Sequence, residues 1–220
     1  MKYITLILVL LTSSFSAYAE TPSTKAFLEA NKTMHQNMNI AYTGHVDTDF
    51  TRGMIPHHQG AVDMARVVLE HGSDPEIRQL AEWIIYIQQQ EILQMKHWLT
   101  RFSVPEGKRI DAYQEKAVAE FDGQMDAMHR EMDIVFTGDA DVDMVMGMIP
   151  HHQAAVDMSY TLLSYGLNPE SAELARGIIV SQQSEIAMMK RWLGRQGIDF
   201  EETHAAYMEQ NKNKSHHAHH

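Results

Sequence analysis

Apolar residues recur at three- and four-residue spacing along most of this chain, the period of helices that turn one face inward. Breaks in that pattern divide it into two sets of three predicted helices. In the first set, the spacing predicts a helix over about residues 22–42, a second from just after Asp47 to Gly72, and a third to about Phe102. The third opens on Asp74-Pro75-Glu76, a capping residue followed by proline and an acid in the first turn. Gly72 suits the left-handed residue that often ends a helix. The second set repeats the layout: a helix ending near Phe136, one over residues 141–166, and one opening at Asn168-Pro169-Glu170. Alternating strand patterns are absent. The expectation is an all-α helical bundle built around the long second and third helices of both sets.

The two sets are copies. At an offset of 94 residues, 34–99 aligns with 128–193 without a gap, and 35 of the 66 positions are identical. Two copies are too few for a solenoid, so the chain reads as two tandem three-helix repeats. The expected organisation is 20–104 for the first repeat and 105–200 for the second, with a linker around Val104-Pro105-Glu106-Gly107. Residues 201–220 form a C-terminal helix end and histidine-rich tail. Pro56 and Pro150 fall inside the second helix of each copy, where proline removes one backbone hydrogen bond and tends to kink the helix.

Residues 1–19 carry one early positive charge, a short apolar run and a small-residue ending at Ala17-Tyr18-Ala19, the layout of a cleaved secretory signal peptide. Export to the periplasm follows, with no membrane span after cleavage. A formal charge of −11 without a basic patch argues against nucleic acid. The chain has no cysteine, so disulfides and thiolate metal sites are excluded. It has 16 methionines. Methionine is a common core filler, so position has to separate packing from ligation.

Projected at 100° per residue, Phe50, Met54, His57, His58, Ala61, Met64 and Val68 share one face of the second helix. Met144, Met148, His151, His152, Ala155, Met158 and Leu162 repeat it. Adjacent histidines on an apolar face need hydrogen-bond partners or a metal. A second cluster lies on the first helix, where Met34-His35-x-x-Met38 recurs as Met128-His129-x-x-Met132 at spacings that can aim at one ion. On the third helix, Gln88-Gln89-x-Glu91 recurs as Gln182-Gln183-x-Glu185, a polar stripe suited to orienting the histidines. Met95 and Met189 share that face, as core or as further ligands. Asp63 and Asp157 are either supports or surface carboxylates, and the Asp47/Asp49 and Asp141/Asp143 pairs read as helix caps.

Thioether sulfur with imidazole and without thiolate favours Cu(I) and the chemically similar Ag(I) over hard ions. Zinc would favour more histidine, cysteine or carboxylate. The tail His216-His217-Ala218-His219-His220 follows a polar stretch that reads as disordered and metal-prone.

The run Gly53-Met-Ile-Pro-His-His-Gln-Gly-Ala-Val-Asp-Met64, with Met34-His35-x-x-Met38 and Gln88-Gln89-x-Glu91-Ile92, resembles the bacterial family titled domain of unknown function 305. Its better-described relatives are CopM-like periplasmic copper-binding proteins. The resemblance implies a ferritin-like helical arrangement and binding of copper, often silver, in tolerance or handling of the metal. The matching ligands would be Met34, His35, Met38, Met54, His57, His58 and Met64, with Met128, His129, Met132, Met148, His151, His152 and Met158 in the second copy. The copies differ at Phe50/Met144, Arg52/Met146 and Gln94/Met188. The expected function is therefore non-enzymatic sequestration or handover of Cu(I), with a copper exporter or chaperone as partner. Two alternatives stay open. One is a di-iron carboxylate enzyme on the same bundle, for which Glu201-x-x-His204 is the only Glu-x-x-His pair. The other is a structural or partner-binding bundle whose histidines are merely buried.

Overall fold

A computed structural model describes residues 20–102 and 112–217, with side chains to residue 212. The expected signal segment, the linker and the last histidines lie outside the described residues. Seven helices follow in order: α1 Pro22–Met38, α2 Val46–His71, α3 Pro75–Arg101, α4 Ala112–Glu131, α5 Ala140–Tyr165, α6 Pro169–Arg195 and α7 Phe200–His217. No strand occurs among the described residues. In each copy the middle helix is flanked by its two neighbours, and α2 packs on α5 to join the copies.

The copies meet face to face about a pseudo-twofold axis, as reciprocal contacts show. Phe27 stacks on Phe136 with ring centroids 6.1 Å apart, and the equivalent Tyr42–Phe121 pair lies at 6.3 Å. Arg101 bonds Glu170 and Arg195 bonds Glu76, each pair exposed and so worth little to stability. Asp47, at the start of α2, accepts hydrogen bonds from Leu167 N, Asn168 N and Ser171 Oγ at the start of α6. Asp141 does the same for Ser73 N and Asp74 N before α3. Each carboxylate therefore caps a helix of the opposite copy, where unpaired N–H groups and the helix dipole favour negative charge.

This arrangement revises several expectations from the sequence. Asp74 and Asn168 cap α3 and α6 as expected. Gly72 and Gly166, however, are extended (φ −77° and −73°), not left-handed. Their glycine is needed for room, since a Cβ would collide with Asp141 and the Val68 carbonyl at Gly72, and with Leu162, its carbonyl and Asp47 at Gly166. The first helix of each copy ends at Met38 and Glu131, four or five residues earlier than expected. The chain then turns through Gly44 and Gly138, both at positive φ (82° and 85°). Asp49 and Asp143 hold these turns by accepting from Thr43 and Gly44, and from Thr137 and Gly138. The helices α2 and α5 continue unbroken through Pro56 and Pro150.

The polar tail from Asn211 was expected to be disordered after a helix end, but α7 continues to His217. It packs on α4 and α6, and His204 Nε2 donates to the Glu131 carbonyl. The first copy has no counterpart of α7. Met146, Ile149 and Pro150 of α5 are buried, where Arg52, Ile55 and Pro56 of α2 are only partly covered. Extra burial explains why the second copy carries methionine at position 146.

Candidate metal centre

All four histidines of the paired motif are fully buried at the α2–α5 contact. They form a row across the pseudo-twofold axis. His57 and His151 meet at its centre with ring centroids 3.7 Å apart. His58 lies 6.1 Å outward from His57, and His152 lies 6.0 Å from His151. A carboxylate closes each end: Glu91 is 2.7 Å from His58 Nε2 and Glu185 is 2.6 Å from His152 Nε2.

These contacts decide which nitrogens are available. A carboxylate only accepts, so Nε2 of His58 and of His152 carries a proton, which leaves Nδ1 as the ring nitrogen without a partner. His151 Nε2 donates to the His57 carbonyl at 3.2 Å, which likewise frees its Nδ1. Nδ1 of His58, His151 and His152, and both ring nitrogens of His57, are buried without a hydrogen-bond partner. Burial, with the neighbouring imidazoles, pushes His57 and His151 well below the ordinary histidine range. Both are therefore neutral at pH 7 and able to donate a lone pair.

The methionines on the same helix faces are buried as well. Met54 and Met148 are fully buried, and Met64 and Met158 nearly so. Met95 and Met189 are also fully buried in the same core. Gln88 and Gln182 are buried with neither amide atom bonded, so the third-helix stripe supports the histidines through Glu91 and Glu185 rather than through its glutamines. Asp63 and Asp157 are surface carboxylates bonded to Gln59 and Arg66, and to Gln153.

A second histidine pair lies on the same axis. His35 of α1 and His129 of α4 meet with ring centroids 4.0 Å apart and planes tilted by 43°, and Nε2 of each is buried and unpartnered. Burial and His129 push His35 down to about 4, and burial also lowers His129. Met34, Met38, Met128 and Met132 are buried beside this pair in the core. Met34 Sδ lies so close to Gly60 of α2 that a Cβ there would collide with it. Thus the expected ligands resolve into a buried central row and a half-buried pair nearer solvent. The sequence had grouped each helix with itself, whereas the structure pairs residues 94 apart across the copies. Among the described residues, no three His, Cys, Asp or Glu side chains converge as a metal-holding group.

The family sequence model described as domain of unknown function (DUF305) matches residues 47–193 and, again, 141–220. The chain belongs to the DUF305 family. Solved structures of similar proteins include CopM in its silver-bound form, 35% identical over 68% of this chain and 96% of that one, with a TM-score of 0.51. CopM in its Cu(I)-bound form is 34% identical with the same coverage and TM-score. A DUF305 protein from Streptomyces coelicolor is 27% identical over 72% of this chain and 98% of that one, with a TM-score of 0.57. An uncharacterized protein of Acanthamoeba polyphaga mimivirus is 45% identical over 49 residues, a match spanning 32% of that protein's length. No helix among the described residues of this DUF305 chain is long and apolar enough to cross a membrane.

Proposed function

We propose that this DUF305 protein binds Cu(I), and Ag(I) in the same way, through imidazole nitrogen and methionine sulfur, and that it sequesters the metal or hands it over outside the cytoplasm. The observation that carries this reading is the row of buried imidazoles with unpartnered nitrogens. Leaving a buried polar atom unsatisfied costs about 1–3 kcal/mol. Imidazoles oriented by Glu91 and Glu185, with the central His57 and His151 held neutral and methionines buried on the same helix faces, are what a soft cation uses. The ligand set is Met54, His57, His58 and Met64 with Met148, His151, His152 and Met158 at the centre, and Met34, His35 and Met38 with Met128, His129 and Met132 nearer solvent.

Similarity to CopM, solved with Cu(I) and with silver, supports the choice of ion. The di-iron alternative lacks support, because Glu91 and Glu185 each serve one histidine and His204 bonds a backbone carbonyl instead of joining a carboxylate cluster. Location in the periplasm rests on the signal-like residues 1–19. A copper exporter or chaperone is the fitting partner for handover.

Anaerobic Cu(I) titration followed by thermal unfolding tests the reading. At a free concentration a thousandfold above Kd, binding to the native state alone adds about 4 kcal/mol, or roughly 8–16 °C in Tm for a chain of this size. The volume-conserving pair Met54→Leu and Met148→Leu should keep the apo Tm and lose most of that shift. No Cu(I)-induced shift in the wild type would refute the proposal.

A further inference from the structure

The His35–His129 pair sits between two clefts that the pseudo-twofold axis interchanges, and the two are chemically different. One cleft, of about 300 Å³, is lined by His35, Met38, Met125, His129, Asp122 and Asp126. Its twin, of about 440 Å³, offers Met132 in place of Met38, Asn31 in place of Met125, and Leu28 and Lys32 in place of the two aspartates. The first cleft thus presents two thioethers, two imidazoles and two carboxylates with no cation on its wall. The twin presents one thioether, with Lys32 and Arg130 against a single carboxylate, Asp133.

We infer that the histidine pair takes a single soft monovalent cation on one side only, in a capture site made of His35, His129, Met38 and Met125, with Asp122 and Asp126 drawing the ion in. This rests on the proposed function and narrows it: of the two related half-sites, the Met38 side binds and the Met132 side does not. Both imidazoles offer an unpartnered Nε2. Met38 is buried and Met125 half-buried, so one sulfur is fixed by the core while the other can swing to close on an ion. Asp122 and Asp126 are exposed. Asp122 shares this wall with the Tyr42 hydroxyl, whose pKa burial and the neighbouring carboxylate raise. The two carboxylates favour a cation in this cleft, whereas Lys32 and Arg130 oppose one in the twin. The fully buried central row has no such exposed approach, so the cleft is the place where an ion first leaves water.

The test is anaerobic competition of the full chain for Cu(I) against a chromophoric Cu(I) chelator. The wild type is compared with Met125→Leu, with Asn31→Leu at the twin position, and with the charge variant Asp122→Asn/Asp126→Asn. Leucine conserves the volume that Met125 contributes, and unchanged far-ultraviolet dichroism checks the fold. Met125→Leu should lower by one the number of Cu(I) ions that resist the chelator, or weaken that ion at least tenfold. Asn31→Leu should match the wild type, and the aspartate variant should slow capture with an effect that shrinks in high salt. If the wild type retains Cu(I) and Met125→Leu matches it, or if Asn31→Leu loses as much as Met125→Leu, the one-sided site is wrong and the central row stands. A wild type that retains no Cu(I) overturns both.

Discussion

Replacing Glu185 with alanine should remove the acceptor that fixes His152. The His152 ring is completely buried, the Glu185 side chain is 6% exposed, and the two meet at 2.6 Å. The variant forfeits a hydrogen bond to a charged group and leaves the Nε2–H unsatisfied, for a combined loss of about 2–3 kcal/mol. For a chain of this length that corresponds to a fall of roughly 4–12 °C in Tm. Glu185→Gln keeps a carbonyl acceptor and loses only the charge assistance, so it should cost about half as much. Asp157→Ala, which removes a half-buried carboxylate bonded to Gln153 and not to a buried histidine, should cost less than about 1 kcal/mol. Calorimetry of metal-free protein at pH 7 measures all three. A cycle with His152→Phe isolates the coupling, since Glu185→Ala should no longer destabilise, and should instead relieve a buried unpaired carboxylate, once His152 is gone. Cu(I) affinity of Glu185→Ala should fall about 10–100-fold, as when a ligand's orienting partner is removed. A Glu185→Ala variant as stable as Asp157→Ala, or a glutamine variant no better than alanine, would refute the role given to this carboxylate.

Other expectations follow from the same contacts. Asp47→Ala and Asp141→Ala should each cost about 1–2 kcal/mol as lost helix caps, seen as lower denaturant midpoints with unchanged slopes, and a null effect would remove the cross-copy capping. Gly60→Ala should destabilise by about 1–3 kcal/mol through collision with Met34, despite alanine's better helix propensity, and a raised Tm would contradict that packing. His35 should titrate near 4 by nuclear magnetic resonance. Its folded value lies below the unfolded one, so the unfolded chain binds more protons and stability should fall as pH drops from about 6.5 toward 4. His57 and His151 add to the same trend, and a Tm flat across that window would argue against burial of these rings.

Helical class, duplication and the inward histidines were legible because they are local: periodicity, caps and a gapless offset. Asp74 and Asn168 cap α3 and α6 as read, since a cap is set by its own next three residues. The cross-copy contacts were not legible. Asp47 lies within four residues of its own helix start, and only the packing of α2 against the opposite copy sends it to α6. Gly72 and Gly166 were legible only in part, because their requirement is space beside the last turn of their own helix and beside a distant carboxylate, and not a left-handed φ. The copy comparison pointed to Glu91 and Glu185 but could not find Met125, which faces asparagine in the first copy. The length of α7 was not legible because its sequence carries a weak apolar face and many polar residues, while one of its two partners, α4, lies far along the chain.

The central claim is that methionine sulfur and histidine nitrogen together hold Cu(I). Copper K-edge X-ray absorption of the Cu(I)-loaded protein reads both atom types directly. The account predicts sulfur and imidazole-nitrogen scatterers in the same first shell, with the sulfur contribution reduced when Met54 and Met148 are changed to leucine. A shell of nitrogen and oxygen alone, unaffected by those substitutions, would contradict it.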